Sequence, residues 1–558
     1  MTTTNNNTSA PSRSGGAILV DALSAHGVDR VFCVPGESYL DVLDALYDHP
    51  SIETIVTKHE GAAANMAEAD GKLTGRPGVC FVTRGPGATH AAIGVHIAQQ
   101  DSTPMIMFVG QAPRDQIGRD AFQELDYAAV FGSMTKWAAE INDVARIPEF
   151  VARAFQYATS GRPGPVVLAL PEDMLGSIAS VPDTDAYRVL VPAPAAGMGE
   201  EVAAALAAAK RPLVIVGGPS WSAEACQDFA EFARAWNLPV AASFRRQDLF
   251  DNRLPQYVGH LSLGMNPALV ELVKNADLIL AVGTRLSEIT TGAYELLRVP
   301  NPVQKLIHLH VSGDEIGRVY QPAIAIQTAP APGAAMLKAM ARPASQPWAD
   351  VTAKARQAHE AFSAIPAPAA DYQGVYMSKV IAHLDEVLPA DTIIANGAGN
   401  YTVWVHRFYQ FRQPRTGLAP VCGAMGYGVP AAIAAKLRHP ERDVVCFAGD
   451  GCFLMDPQEL ATAMQFGANV VFIVVNNGMY GTIRMHQEKR FPGRISATDL
   501  PSPDFVALAA SFGAYSELVE ATDDFPAAFA RAKAAGRPAL LELRVDPKQI
   551  TPAARIGG

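Results

Sequence analysis

The chain has 558 residues, 49% of them hydrophobic and 18% charged, with a formal net charge of -10 at pH 7. That length is too great for a single hydrophobic core, so roughly two to four domains are expected. The acidic balance argues against a nucleic-acid or membrane-surface partner, either of which would want a basic face.

Residues 1–14, MTTTNNNTSAPSRS, carry one charge, Arg13, and no apolar h-region. They read as a disordered leader and not as a signal peptide. The six cysteines (33, 80, 226, 422, 446 and 452) form no C-x-x-C pair and no metal-ligand spacing. Buried free thiols in a reducing compartment are the simplest reading. A membrane span needs about 18 apolar residues free of charge and turn signals, and no such run is present. A soluble, cytoplasmic protein is therefore expected.

Short apolar runs then alternate with Ala-rich helical stretches: VCFVT (79–83), MIMFVG (105–110), PVVLAL (165–170), PLVIVGG (212–218), LILAVG (278–283), VVCFAG (444–449) and VVFIVV (470–475). Continuous apolar runs separated by helices mark parallel sheets covered on both faces, so the fold class is α/β. Pro/Ala-rich stretches at 181–199 and 342–371 read as linkers. They predict domains over 15–182, 183–345 and 372–558, each a doubly wound parallel sheet. The strand–turn–helix–strand pattern of 78–110 returns at 443–477. Any two βαβ units share that much, so the echo alone decides nothing.

The most specific motif is Gly449-Asp450-Gly451 after one strand and Asn476-Asn477 after the next. Asp456-Pro457 predicts the start of the intervening helix, with Asp as N-cap and Pro at N1. If the two strands are parallel neighbours, Asp450 and Asn477 share the carboxyl edge of the sheet, where open α/β folds bind ligands. A carboxylate and an amide oxygen are hard ligands suited to magnesium, which also takes phosphate oxygens. A second turn, Gly397-Ala398-Gly399-Asn400, follows the strand TIIA (392–395) and can offer N–H groups to phosphate.

Asp450-Gly451 through Asn477 resembles the motif of thiamine diphosphate-dependent enzymes. The resemblance implies two cofactor-binding domains flanking a central Rossmann-like one. It implies magnesium held by Asp450, Asn477 and the Met479 carbonyl, with Gly399, Asn400, Gly451 and Cys452 lining the diphosphate. Met425 would wedge between the cofactor rings, and the Gly423 carbonyl would accept from the 4′-amino group. Glu60, in K-H-E-G-A-A-A-N-M-A, would hydrogen-bond the aminopyrimidine, in a setting where burial raises a carboxylate's proton affinity. Read without the family, Glu60 is equally a helix-start residue favoured by the dipole. Family members serve each cofactor with these groups from two subunits, so a homodimer or homotetramer with interfacial active sites is implied.

The resemblance is nearest to the acetolactate synthase group, carried by VFCVPGES (31–38), TRGPGATH (83–90), IGRDAFQE (117–124), GAMGYGVPAA (423–432) and SPDFVALAASFG (502–513). It places Gln123 on the substrate side and implies decarboxylation and carboligation of a 2-keto acid such as pyruvate. Three departures stand out: Glu37-Ser38 where the group has Gly-Ala, His90 where it has Asn, and His486 at the Trp of the second-substrate pocket. They point to a different acceptor or donor. His59, His90 and His486 are candidate proton relays, His90 foremost. Gly217-Gly218 and Gly283-Thr284-Arg285 mark a candidate FAD or ADP site. The alternatives are a 2-keto acid decarboxylase or acyloin lyase of the family and a non-catalytic cofactor-binding homologue. A nucleotide-dependent enzyme is disfavoured, because no G-x-G-x-x-G or Walker motif follows a strand.

Overall fold

A computed structural model of the chain describes residues 11–556. The chain divides into two compact units between Leu190 and Val191, inside the first stretch read as a linker. No helix among the described residues is long and apolar enough to cross a membrane.

The first unit is built on six parallel strands: Arg30–Cys33, Glu53–Val56, Gly78–Val82, Met105–Gln111, Trp137–Glu140 and Pro165–Pro171. Numbered along the chain, they lie in the order 2-1-3-4-6-5. The central strands are apolar and buried throughout, as a sheet covered on both faces requires. Helix Glu60–Thr74 packs on helix Gly85–Asp101 through small residues. A Cβ on Gly94 would lie 2.4 Å from that of Ala64, and one on Gly78 only 1.8 Å from the Ala67 carbonyl oxygen. This close approach sets the start of one helix beside the second turn of the other.

Residues 1–10 of the expected leader lie outside the described residues, but its end is ordered. Ser12–Ser14 pairs antiparallel with Ile178–Ser180, and Arg13 binds both Asp21 and Asp183. A polar segment with one half-buried arginine can add an edge strand without contributing to a core, which composition alone did not reveal.

The second unit holds two six-stranded parallel sheets. The first comprises Pro212–Val216, Val240–Ala242, Tyr257–His260, Leu278–Val282, Lys305–His310 and Ile324–Gln327, in the order 3-2-1-4-5-6 of a Rossmann sheet. The second comprises Ile393–Asn396, Gly417–Leu418, Val444–Gly449, Val471–Asn476, Tyr515–Val519 and Ala539–Arg544. Its order is 2-1-3-4-6-5, the same as in the first unit, so the sequence echo is matched by topology. Asn252 accepts from the Phe411 amide at 3.0 Å and Asp248 from that of Arg415 at 3.0 Å, tying the two sheets' connections together.

The second predicted linker is largely structured. Ala349–Ser363 is a helix, and Trp348 just before it is buried, donating from Nε1 to the Trp236 carbonyl at 2.9 Å. Arg356 on that helix donates to the Asn252 carbonyl at 2.8 Å. The flanking prolines stop the helix at its ends without preventing it.

Candidate functional site

Strands Val444–Gly449 and Val471–Asn476 are parallel neighbours with Gly449 opposite Val475, which brings Asp450 and Asn477 to the same sheet edge. Asp450 begins a single helical turn, Asp450–Phe453. The next helix starts at Glu459 and not at Pro457: Asp456, Pro457 and Gln458 form a turn, and Asp456 accepts from the Gln458 side chain at 3.2 Å. An Asp-Pro start signal was outweighed there by the one-turn helix immediately before it.

The Asp450 carboxylate is 3% exposed. Its oxygens accept from the Gly451 amide at 2.9 Å and the Gly478 amide at 2.8 Å. Burial nevertheless pushes its carboxyl up to about 6, against the pull of these backbone donors. The two asparagines divide their tasks. Asn476 turns into the sheet, donating to Glu542 at 2.8 Å, while Asn477 faces a cavity and accepts from the Met479 amide at 3.2 Å.

That cavity has a volume of about 270 Å³. It is lined by Gly399, Asn400, Gly423, Met425, Asp450, Gly451, Cys452, Asn477 and Met479, which is every site residue expected in the C-terminal sheet. Gly399 (φ 143°) and Gly423 (φ 71°) hold backbone conformations that side chains rarely adopt, and a Cβ on Gly423 would project into open space. Asn400 is fixed by Thr482, whose hydroxyl donates to its amide oxygen at 2.9 Å. The Cys452 sulfur accepts from the Gly426 amide at 3.3 Å and the Tyr401 hydroxyl at 3.4 Å.

The donor set fits a hard divalent cation beside an anionic group. It combines one desolvated carboxylate with an amide oxygen and a carbonyl, next to glycines that keep the backbone open. Sequence reasoning missed Tyr372, Gln549 and Ile550 in the wall. They lie far along the chain from the motif, and no local pattern marks them. Among the described residues, Asp450 is the one acidic residue lining this cavity.

In the first unit, Glu60 opens its helix, with the His59 side chain as N-cap accepting from the Gly61 amide at 3.0 Å. The Glu60 side chain is 14% exposed, and His90 donates from Nδ1 to its Oε2 at 2.8 Å. The imidazoles of His59 and His90 stack with centroids 4.7 Å apart. His59, Glu60 and His90 thus lie within metal-ligating distance of one another. The cap bond, however, keeps Nδ1 of His59 as acceptor and its proton on Nε2, so the ring offers a metal no lone pair without losing that bond. Gln123 sits in a loop at the same sheet edge with φ 63°, its buried Oε1 without a hydrogen-bond partner.

Two expected residues stand apart. His486 is exposed on helix Gly481–Arg490 and does not line the cavity. On that helix Thr482 and Met485, three positions apart, face Asn400, and the next position turns about 100° away. Glu37 is exposed at the start of a short 3-10 turn.

The central glycines have a packing explanation. Gly217 and Gly283 end adjacent strands, and a Cβ on Gly218 (φ 76°) would lie 1.8 Å from the Gly283 carbonyl oxygen. Trp221 covers both turns, donating from Nε1 to the Gly217 carbonyl at 2.9 Å.

Residues 13–130 match the N-terminal TPP binding domain of thiamine pyrophosphate enzymes, 200–340 their central domain and 397–543 their C-terminal TPP binding domain. The chain belongs to the thiamine pyrophosphate enzyme family, whose cofactor is thiamine diphosphate. Within it, the chain is acetolactate synthase-like. It is 34% identical to the acetolactate synthase large subunit of Parasynechococcus marenigrum (strain WH8102), over 90% of this chain and 82% of that one. It is 32% identical to the acetolactate synthase isozyme 2 large subunit of Escherichia coli (strain K12), over 96% of both chains. The probable acetolactate synthase large subunit of Methanocaldococcus jannaschii is 31% identical, over 98% of this chain and 94% of that one. The protein is a thiamine diphosphate-dependent enzyme of the carboligase and transferase kind.

Proposed function

We propose that the protein decarboxylates a 2-keto acid and joins the retained acyl carbon to a second carbonyl compound. The supporting observation is the convergence of Asp450, Asn477, Met479 and the glycine turns on one cavity. Asp450, Asn477 and the Met479 carbonyl would hold magnesium. Gly399, Asn400, Gly451 and Cys452 would receive the diphosphate, and Met425 and Gly423 the rings. Thiamine diphosphate, when bound, supplies the electron sink that lets the carboxyl group leave.

Glu60 holds a proton at the oxygen that His90 does not engage, and His90 steadies the other. The exposed imidazole of His90 is suited to exchange protons between solvent and the oxygen it does engage. Gln123 presents its buried amide to the substrate. By resemblance to the family, Glu60 would reach this cavity from another subunit of a homodimer or homotetramer. The central glycines have a packing role of their own, so by themselves they supply no argument for a flavin. A cytoplasmic location belongs to the same proposal.

The test is carbon dioxide release and product mass from pyruvate, with and without thiamine diphosphate and magnesium. Cofactor-dependent acetolactate supports the proposal, and free acetaldehyde would make the enzyme a simple decarboxylase. Cofactor binding without pyruvate turnover would move the donor to another 2-keto acid.

A further inference from the structure

Helix Gly85–Asp101 carries His90, yet no side chain caps its start. Its first amide, that of Gly85, donates instead to the Gln123 carbonyl at 3.0 Å. A Cβ on Gly85 would lie 2.9 Å from that oxygen, so the loop and the helix start are in direct backbone contact. The residue before the helix, Arg84, reaches the same loop. Its Nη1 donates to the Phe122 carbonyl at 3.3 Å, and its Nη2 pairs with the Glu172 carboxylate. Arg84 is itself buried, whereas the Glu172 side chain is 41% exposed.

Two successive carbonyls, of Phe122 and Gln123, are therefore fixed from Arg84 and Gly85. The loop is tied from within as well: Glu124 accepts from the Gly118 amide at 2.6 Å and the Ala121 amide at 2.9 Å. Between these anchors Gln123 holds φ 63°, a left-handed conformation that a non-glycine residue keeps only when its surroundings impose it. Its side chain ends in a buried oxygen with no partner. A strained backbone that aims an unsatisfied polar group is what a substrate-contacting residue needs.

We propose that Arg84, anchored on Glu172, is a positioning residue for Gln123: it fixes the Phe122–Gln123 peptide so that the Gln123 amide meets the substrate. The proposal rests on reading Gln123 as a substrate-side group. It assigns the arginine no contact with substrate or cofactor. A guanidinium bridges a carbonyl and a carboxylate at once through separate nitrogens, whereas an ammonium is a single point donor.

The experiment is a double-mutant cycle on the full-length holoenzyme with pyruvate, using Arg84→Met, Gln123→Ala and the pair. Hydrogen exchange is read alongside over residues 84–90 and 118–126. Arg84→Met is expected to raise KM about tenfold with a smaller change in kcat and to speed exchange at the Gly85 amide. In the Gln123→Ala background it should cost nothing further, since the group it positions is gone. Arg84→Lys should restore part of the loss. Additive effects of the two substitutions would overturn the proposal, as would unchanged exchange. Unchanged kinetics in Gln123→Ala would instead sink the reading of Gln123 itself. Should Arg84→Met fail to fold, Glu172→Gln weakens the anchor with the arginine in place, and the same cycle applies.

Discussion

His90 reaches from the second turn of one helix to the first residue of another, its Nδ1 2.8 Å from the Oε2 of Glu60. The two helices approach closely enough for this only because Gly94 faces Ala64. One carboxylate oxygen is thereby engaged, and the proton chemistry proposed for Glu60 falls to the other.

Glu60→Gln should keep the side chain's shape and remove its acid–base function. Turnover is expected to fall by about 10²–10⁴-fold, the range for loss of a general acid–base group. Thiamine diphosphate binding, followed by protein fluorescence, should survive. His90→Asn retains an N–H donor near Oε2 and should cost less than His90→Leu. Equal losses in the two His90 variants would remove the hydrogen bond from the argument.

Asp450→Asn should separate metal binding from fold stability. The carboxylate is desolvated, with its pKa pushed up to about 6, so removing its charge relieves a cost in the protein without cofactor. That relief is set against one lost bond, because the asparagine NH2 cannot accept from the Gly451 or Gly478 amide, so the apo melting temperature should change little. The gain in stability with saturating cofactor and magnesium, about 2.7 kcal/mol at one hundred times Kd, should vanish. A variant that melts early without cofactor but keeps the ligand-induced shift would contradict the assignment.

The strands were legible because both faces of each sheet are buried, which leaves continuous apolar runs such as VVCFAG with little ambiguity. The edge proposed to hold magnesium was legible for a related reason: a strand's last residue fixes where the next one sits, so Asp450 and Asn477 followed from two strand ends and one parallel pairing. Helix boundaries were less so. The single turn at Asp450 and the helix start at Glu459 depend on packing that Asp456-Pro457 does not encode. Tyr372, Gln549 and Ile550 reach the cavity through tertiary structure. Gln549 belongs to a C-terminal segment held by Arg555 on Asp371 and Asp546, each at 3.0 Å, pairings that charge spacing alone could not specify.

The purified protein should show no flavin absorbance near 450 nm and release no flavin on heating. Gly218→Ala should destabilise the fold regardless of added FAD, because its Cβ would collide with the Gly283 carbonyl and its φ of 76° is strained for alanine. A flavin that co-purifies, or FAD rescue of the variant's melting temperature, would return a cofactor role to these glycines.

Stability should fall on the acid side of neutrality through histidines in the central sheet. His310 is fully buried, and burial together with neighbouring His308 lowers its pKa to about 4; His308 is shifted the same way. An unfolded chain titrates these groups near 6.5. Above about 6.5 both states are neutral and the contribution is complete. Between there and about 4 the unfolded chain takes up a proton that the folded one refuses, so stability drops as pH falls, and below about 4 the slope ends. For His310 alone the loss is about 3 kcal/mol across that window. Thermal melts between pH 7 and pH 4 should show the decline, and His310→Asn, which keeps an acceptor for the Ser312 amide, should remove its own share and leave that of His260, His359 and His406, which burial lowers likewise. An unchanged slope in that variant would assign the acid sensitivity to other groups.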